Sequence, residues 1–152
     1  MIDLIAPPRG QDPWGSGHFG APRGSRTHTG VDIAAWPGSV VKVFQAGRIT
    51  GFGYAYASGV GGANGDCPFR IIDVHCIDGF DMRYFYVKPL MGVQVGDKVS
   101  MGEPIGVAQD LWRRYPPELD EEGKPKIMTP HIHFEIIGPN GDHVDPVTYS
   151  CA

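Results

Sequence analysis

Glycine and proline interrupt this sequence so often that no long helix can form. Of the 152 residues, 22 are glycine and 14 are proline, and the longest segment without either runs from Phe69 to Asp78. Proline breaks a helix interior and glycine weakens it, so helical bundles, coiled coils and doubly wound α/β folds are excluded. The glycines and prolines lie between short apolar segments and form no repeat, which is typical of turns between strands.

Short apolar segments that end at Gly, Pro or Asp mark the predicted strands. The best defined are Val40–Ala46, Phe69–Cys76, Asp81–Val87 and His131–Ile137, with weaker ones at 48–50, 98–99 and 105–108. Asp78-Gly79, between two of them, is typical of a hairpin turn. We therefore expect an all-β fold, antiparallel and sandwich-like, in one domain spanning residues 1–152.

Three segments are predicted to be loops. Residues 7–30 are rich in Gly, Pro, Arg and Ser, and Ser58–Asp66 is rich in glycine but lacks the Gly-Lys-Ser/Thr ending of a phosphate-binding loop. Residues 110–127 form a long polar insertion with one expected helical turn near Leu111–Tyr115. Long loops inside compact domains often border binding sites.

Charge and cysteine content exclude several classes of protein. The net charge of −4 disfavours a nucleic-acid partner, and no apolar run is long enough to insert into a membrane. Cys67, Cys76 and Cys151 are too few and too scattered for a disulfide scaffold. The first residues show no secretory signal, so we expect a protein that acts inside the cell, that is made in the cytoplasm and leaves by another route, or whose signal has been removed. The oligomeric state is left open.

Two histidines alternate with apolar residues in the segment His131–Ile136. Because side chains of a strand alternate between its faces, His131, His133 and Glu135 share one face, and the apolar residues between them face the core. The two imidazoles could converge on one centre, or they could belong to a solvated strand face. The pair alone does not decide between these interpretations.

A second pattern is His28-Thr29-Gly30-Val31-Asp32. On a straight strand His28 and Asp32 would lie roughly 13 Å apart, too far for one metal ion. Gly30 allows the backbone to bend between them, so both side chains could reach the same ion.

Together the two patterns supply two histidines and one carboxylate. Zinc accepts His28, Asp32 and one histidine of the pair His131 and His133 as ligands, and a catalytic zinc site keeps a further position for water. The remaining histidine of the pair would carry protons. Non-haem Fe(II) oxygenases use the same ligand types but have no obvious need for the extra histidine, so zinc is preferred.

These blocks resemble the lysostaphin/LytM-type zinc endopeptidases, which cut the peptides of peptidoglycan. The resemblance extends from Gly17-His18-Phe19-Gly20 and the His28–Asp32 block to the last block, Thr129–Glu135 with Val144-Asp145-Pro146. Glycine-containing blocks between them also match: Ala46–Ile49, and Val95–Val99 with Gly102, Ile105 and Gly106. The resemblance implies zinc bound by His28, Asp32 and His133, a catalytic His131, and a peptidoglycan peptide as substrate.

One departure from the family concerns a second catalytic histidine, which the family carries after the Asp-Gly turn. Counting from that turn, Tyr84 matches the family tyrosine and Tyr86 stands in place of the histidine. Strand alternation would put both tyrosines on one face, so the Tyr86 hydroxyl could reach the site. A phenol can donate a hydrogen bond to an oxyanion but is a poor base at neutral pH.

The sequence thus supports three hypotheses. The first is a zinc endopeptidase acting at the bacterial cell wall, with a phage lysis or entry enzyme favoured by the missing signal. The second, motivated by Tyr86, is a non-catalytic cell-wall-binding or virion module of the same fold. The third is an Fe(II) oxygenase.

Overall fold

The structure, a computed structural model, describes residues 9–56 and 68–149. One turn of 3-10 helix spans Leu111–Arg113. The strands of these described residues are β1 Gln11–Asp12, β2 Gly15–Ser16, β3 Pro22–Arg23, β4 Arg26–Thr27, β5 Val31–Ala34, β6 Val40–Lys42, β7 Gly47–Tyr54, β8 Arg70–Cys76, β9 Asp81–Phe85, β10 Val87–Pro89, β11 Lys98–Val99, β12 Pro104–Ala108, β13 Glu118–Leu119, β14 Pro125–Lys126, β15 His131–Ile137 and β16 His143–Val144.

Two antiparallel sheets enclose the core. The larger has the strand order β11-β7-β8-β9-β15-β16, with β5 also paired to β15, and the smaller has the order β10-β12-β6. Apolar side chains from both sheets are buried together, among them Val41 and Ile105 from the small sheet and Ile72, Phe134 and Ile136 from the large one. This arrangement confirms the predicted antiparallel, sandwich-like β fold.

Several strands lie where the sequence predicts them. Strand β15 and strand β11 have the predicted bounds, and Asp78-Gly79 forms the turn between β8 and β9. The predicted strand Val40–Ala46 is wrong beyond Lys42. There the Val43 amide donates a hydrogen bond to the carbonyl of Glu103, and the Phe44 amide donates one to the hydroxyl of Tyr84.

The predicted loop over residues 7–30 is wrong in its described part, because two small hairpins form there. Strand β1 pairs with β2, and β3 pairs with β4. The glycines that predicted a loop serve these turns; Gly24, for instance, has a φ of +63°, which favours glycine.

The insertion at residues 110–127 contains more order than predicted. Its helical turn is present, and β13 pairs with β14 to form a hairpin. Leu111 packs with Phe69 and Met128 in a small second core. The glycine-rich segment Ser58–Asp66, Cys67 and Cys151 lie outside the described residues. Among the described residues, no helix is long and apolar enough to cross a membrane.

Candidate active site

Strand β15 presents its polar side chains on one face of the sheet. Ile132, Phe134 and Ile136 are fully buried in the core, as the alternation predicts. His131, His133 and Glu135 are also buried, each with at most 8% of its surface exposed. The interpretation of this face as a set of solvated histidines is therefore wrong.

Strand pairing brings the two sequence patterns together. Strand β5 lies antiparallel to β15, and its register sets Asp32 directly opposite His133. Across such a pair, side chains on one face are close neighbours. His28 lies just before β5 and is held by backbone hydrogen bonds with Gly20 and Ala21.

Three ligand atoms converge at this point. The Nε2 atom of His28 lies 2.8 Å from Nδ1 of His133 and 3.1 Å from Oδ1 of Asp32. The last two atoms are 3.0 Å apart. All three residues are buried, and their atoms are close enough to share one metal ion. The predicted ligand set therefore meets in space, although its residues are up to 105 positions apart in the chain.

Gly30 permits this convergence for a reason other than the one predicted. A Cβ atom at Gly30 would lie only 2.3 Å from the carbonyl oxygen of Phe134 and 3.0 Å from Cε1 of His133. Its φ is outside the left-handed region, so glycine is required here by the close approach of β15 and not by a special turn.

The outer nitrogen of each histidine in the ligand set has a fixed partner. Nδ1–H of His28 donates to the carbonyl of His18 at 2.8 Å, and Nε2–H of His133 donates to Glu135 at 3.0 Å. The inner nitrogens are thereby left as lone-pair acceptors. Thr29 donates to the same oxygen of Glu135. Burial alone would raise the pKa of Glu135, but the hydrogen bonds from His133 and Thr29 outweigh it and lower the pKa to about 2.

With both imidazoles neutral, these three atoms face one another as acceptors, an arrangement that favours a cation between them. Burial alone would raise the pKa of Asp32, yet its contacts with His133 and His28 hold that pKa well below the ordinary value. Burial by itself would lower the pKa of His133, but Asp32 and Glu135 raise it. The site therefore attracts positive charge, and two imidazoles with one carboxylate are a set that zinc accepts.

His131 lies beside this centre and points a nitrogen toward it. Its Nδ1–H donates to the carbonyl of Thr129 at 2.7 Å, and Nε2 lies 3.5 Å from Oδ2 of Asp32. Burial lowers the pKa of His131, so the imidazole is neutral near pH 7 and Nε2 can accept a proton.

The tyrosines of the hairpin do not share one face, so that prediction is wrong. Tyr84 points into the core and is fully buried, whereas Tyr86 has a φ of +66° and interrupts the strand between β9 and β10. This break turns the ring of Tyr86 toward the ring of His131, with 6.1 Å between the ring centroids. The Tyr86 hydroxyl lies 3.4 Å from that of Tyr56, and burial raises the pKa of Tyr86 to about 12.

A groove of about 760 Å³ opens over the centre. Its lining includes Arg23 and Arg26, together with Trp14 and with Tyr115 from the 110–127 insertion. Trp36 is exposed and packs edge-on against Trp112. The insertion thus borders the site, as its length suggests.

The other histidines have different roles. His75 pairs with Asp81 on the surface, and His18 supplies only a backbone carbonyl to the centre. His143 is exposed, and its Nε2 lies 3.2 Å from Oε2 of Glu135.

Sequence reasoning missed Arg9 and Asp12 entirely. Arg9 is buried and donates from Nη1 to Oδ2 of Asp32 at 2.9 Å. It also forms two hydrogen bonds with Asp12. Neither residue belongs to a recognisable motif, and an arginine in a Pro/Gly-rich segment is indistinguishable from a surface residue by sequence.

Comparison with known proteins assigns the chain to a class. The sequence model of peptidase family M23 matches residues 26–146, which include all three converging residues and His131. The chain therefore belongs to peptidase family M23, and the resemblance found in the sequence is confirmed.

Individual proteins are similar to the chain over most of its length. The chain is 29% identical over 138 residues to mouse leukocyte cell-derived chemotaxin-2, with 91% of this chain and 76% of that protein covered. The catalytic domain of lysostaphin, an antimicrobial peptidase from Staphylococcus simulans, is 25% identical with a TM-score of 0.59, and 88% of this chain and 87% of that chain are covered. A variant catalytic domain of the prophage-encoded M23 protein EnpA from Enterococcus faecalis is 23% identical with a TM-score of 0.57, covering 97% and 98% of the two chains.

Proposed function

We propose that this protein is a zinc-dependent endopeptidase that hydrolyses peptide bonds in the stem peptides or cross-bridges of bacterial peptidoglycan. The observation that carries the proposal is the convergence of His28, Asp32 and His133 in the lining of a groove, with His131 beside them. Membership of peptidase family M23 and similarity to the lysostaphin catalytic domain support the same reaction and substrate class. A phage origin stays a prediction.

The proposed ligands are His28 through Nε2, Asp32 through Oδ1 and His133 through Nδ1. A zinc ion held there supplies a Lewis acid for the scissile carbonyl and acidifies a water toward a pKa of roughly 7. The protein's part is to keep the three ligand atoms together in a buried site whose outer hydrogen bonds fix both imidazoles.

His131 is the proposed proton carrier. Its Nδ1–H is engaged by Thr129, so the Nε2 lone pair faces the groove and can take a proton from the attacking water. The same nitrogen then donates that proton to the leaving amine. Because burial keeps its pKa low, His131 begins the cycle in the neutral form that this role needs.

Tyr86 is the proposed hydrogen-bond donor to the oxyanion. With its pKa raised to about 12, the phenol retains its proton at neutral pH and cannot act as a base. A donor aimed at a developing oxyanion is typically worth 10²–10³ in rate. Tyr86 can therefore replace the electrostatic part of the family's second histidine but not its proton transfer.

The experiment is digestion of purified peptidoglycan, followed by counting new amino termini and by mass spectrometry of the fragments. We expect cleavage that stops with a chelator, returns with zinc and is lost in His133→Ala. His75→Ala, which removes a surface histidine, is the matched control and should keep full activity. Equal cleavage by His133→Ala and the parent protein would contradict the proposal.

A non-catalytic wall-binding or virion module is the second candidate. Tyr86 in place of a family histidine favours it, and so does a relative that is named for chemotaxis and not for hydrolysis. Sedimentation with purified cell walls, run beside the digestion, separates the two: binding without new amino termini supports the module. The Fe(II) oxygenase hypothesis loses its support, since the family match is to a peptidase family.

A further inference from the structure

We infer that the segment of residues 9–17, which precedes the family match at 26–146, is part of the active centre, where Arg9 and Asp12 are positioning residues for Asp32 and His131. The inference rests on the proposed metal site and adds to it an ion pair in which Arg9 contacts the ligand Asp32 and Asp12 is linked to the proton carrier through Thr129.

Arg9 holds one oxygen of Asp32. Nη1 of Arg9 donates to Oδ2 of Asp32 at 2.9 Å, while Oδ1 of the same carboxylate faces His28 and His133. The Arg9 side chain is only 3% exposed, so this contact is sheltered from water. This contact holds the carboxylate in the orientation that turns Oδ1 toward the two histidines.

Asp12 holds the guanidinium of Arg9 in place, and that guanidinium in turn holds Asp32. Nε of Arg9 donates to Oδ2 of Asp12 at 2.8 Å, and Nη2 donates to Oδ1 at 2.6 Å. Such a two-point contact sets the plane of the guanidinium as well as its position. The positive charge of Arg9 is thereby shared between two carboxylates, so Asp32 retains negative charge for a metal ion.

Asp12 is also linked to the proton carrier through the backbone of one residue, Thr129. Its Oδ2 accepts a hydrogen bond from the amide of Thr129 at 2.8 Å, and the carbonyl of Thr129 accepts from Nδ1 of His131 at 2.7 Å. The carbonyl can accept only from the tautomer that carries its proton on Nδ1. Asp12 therefore helps to keep the Nε2 lone pair of His131 directed at the site.

The backbone locks this segment onto strand β5. The Arg9 amide donates to the carbonyl of Asp32 at 2.8 Å, and the Asp32 amide donates to the carbonyl of Gly17 at 2.9 Å. A Cβ atom at Gly17 would lie 2.9 Å from Cβ of Asp32 and 3.0 Å from Cβ of Arg9. The segment thus packs against Asp32 itself.

The test measures zinc affinity by competition with a chromogenic chelator, independently of turnover. Loss of a partner that orients a metal ligand typically weakens affinity 10–100-fold, and we expect a loss in this range for Arg9→Ala. Arg9→Lys keeps a positive charge but lacks the planar guanidinium that can bond at two points, so a smaller loss of zinc affinity is expected. Arg48→Ala, which removes an exposed arginine bonded to Gly96, is the control and should bind zinc like the parent protein.

A second readout follows the tautomer of His131 by ¹⁵N NMR of the imidazoles in zinc-free protein. The parent protein should show His131 protonated on Nδ1, and Asp12→Ala should show a mixture of tautomers. An unchanged tautomer in Asp12→Ala contradicts the link to His131.

The outcomes separate this inference from the proposed function. A folded Arg9→Ala variant with the zinc affinity of the parent overturns the inference alone. If Arg9→Ala does not fold, Arg9→Lys decides in its place, and an affinity equal to that of the parent overturns the inference. A parent protein that binds no zinc contradicts the inference and the proposed function together.

Discussion

Replacement of Gly30 by alanine should disturb stability and metal binding together, because Gly30 lies where β5 and β15 meet over the site. The added Cβ would lie 2.3 Å from the Phe134 carbonyl oxygen, 2.9 Å from Cγ of Glu135 and 3.0 Å from Cε1 of His133. The closest atom belongs to the backbone of a central strand and cannot swing aside. The strand itself must shift, and His133 and Glu135 shift with it.

Forcing extra atoms into a packed interior typically costs 1–3 kcal/mol. Because the contact is with the backbone and very short, we expect Gly30→Ala to lower the unfolding free energy by about 3 kcal/mol, near the upper end of this range. The matched control is Gly53→Ala, whose Cβ would meet Ile71 at an ordinary 3.7 Å. Urea denaturation measures the unfolding free energies, and chelator competition measures the zinc affinity. The zinc affinity should fall at least tenfold in Gly30→Ala and stay unchanged in Gly53→Ala. Equal stability and equal zinc affinity in the two variants would refute the reasoning.

Three further predictions concern single side chains. Tyr86→His should raise the turnover of peptidoglycan peptides at least tenfold, because histidine adds proton transfer. Histidine also tolerates the positive φ of this position better than most residues. Turnover at or below that of the parent protein would argue against this prediction. Tyr84→Phe should lower the unfolding free energy by about 1–3 kcal/mol, since the buried amide of Phe44 loses its acceptor, and a urea midpoint equal to that of the parent would contradict this. Burial raises the pKa of Asp12, but the Arg9 guanidinium and two backbone amides more than offset it and lower the pKa from 3.8 to about 2. The Asp12 carboxylate should therefore stabilise the fold fully above pH 4 and lose that effect as the pH falls toward 2. After solvent screening, we expect the unfolding free energy to fall by about 1 kcal/mol over this range on account of Asp12. Urea titrations at several pH values measure this loss, which should be absent in Asp12→Asn.

The β architecture followed from the sequence because two local signals agreed. Glycine and proline ruled out helices, and strict alternation in His131–Ile137 set the two faces of β15. The strand bounds were less secure where tertiary contacts override local preference. After Lys42 the chain leaves the small sheet, since the Phe44 amide finds its partner in a tyrosine that is 40 residues away.

The candidate ligands were accessible to sequence reasoning for a similar reason. Their residue types and strand spacing are local facts, and the resemblance of the blocks joined them. The position of Tyr86 was not accessible, because alternation assumes an unbroken strand and nothing in the sequence marks its positive φ. Arg9 and Asp12 were missed because their role arises only when the first hairpin packs against β5.

Anomalous X-ray diffraction at the zinc absorption edge, from crystals grown with zinc, tests the central claim most directly. The account predicts one strong peak about 2.0–2.2 Å from Nε2 of His28, Oδ1 of Asp32 and Nδ1 of His133. The absence of a peak there, or a peak held by other side chains, would contradict it.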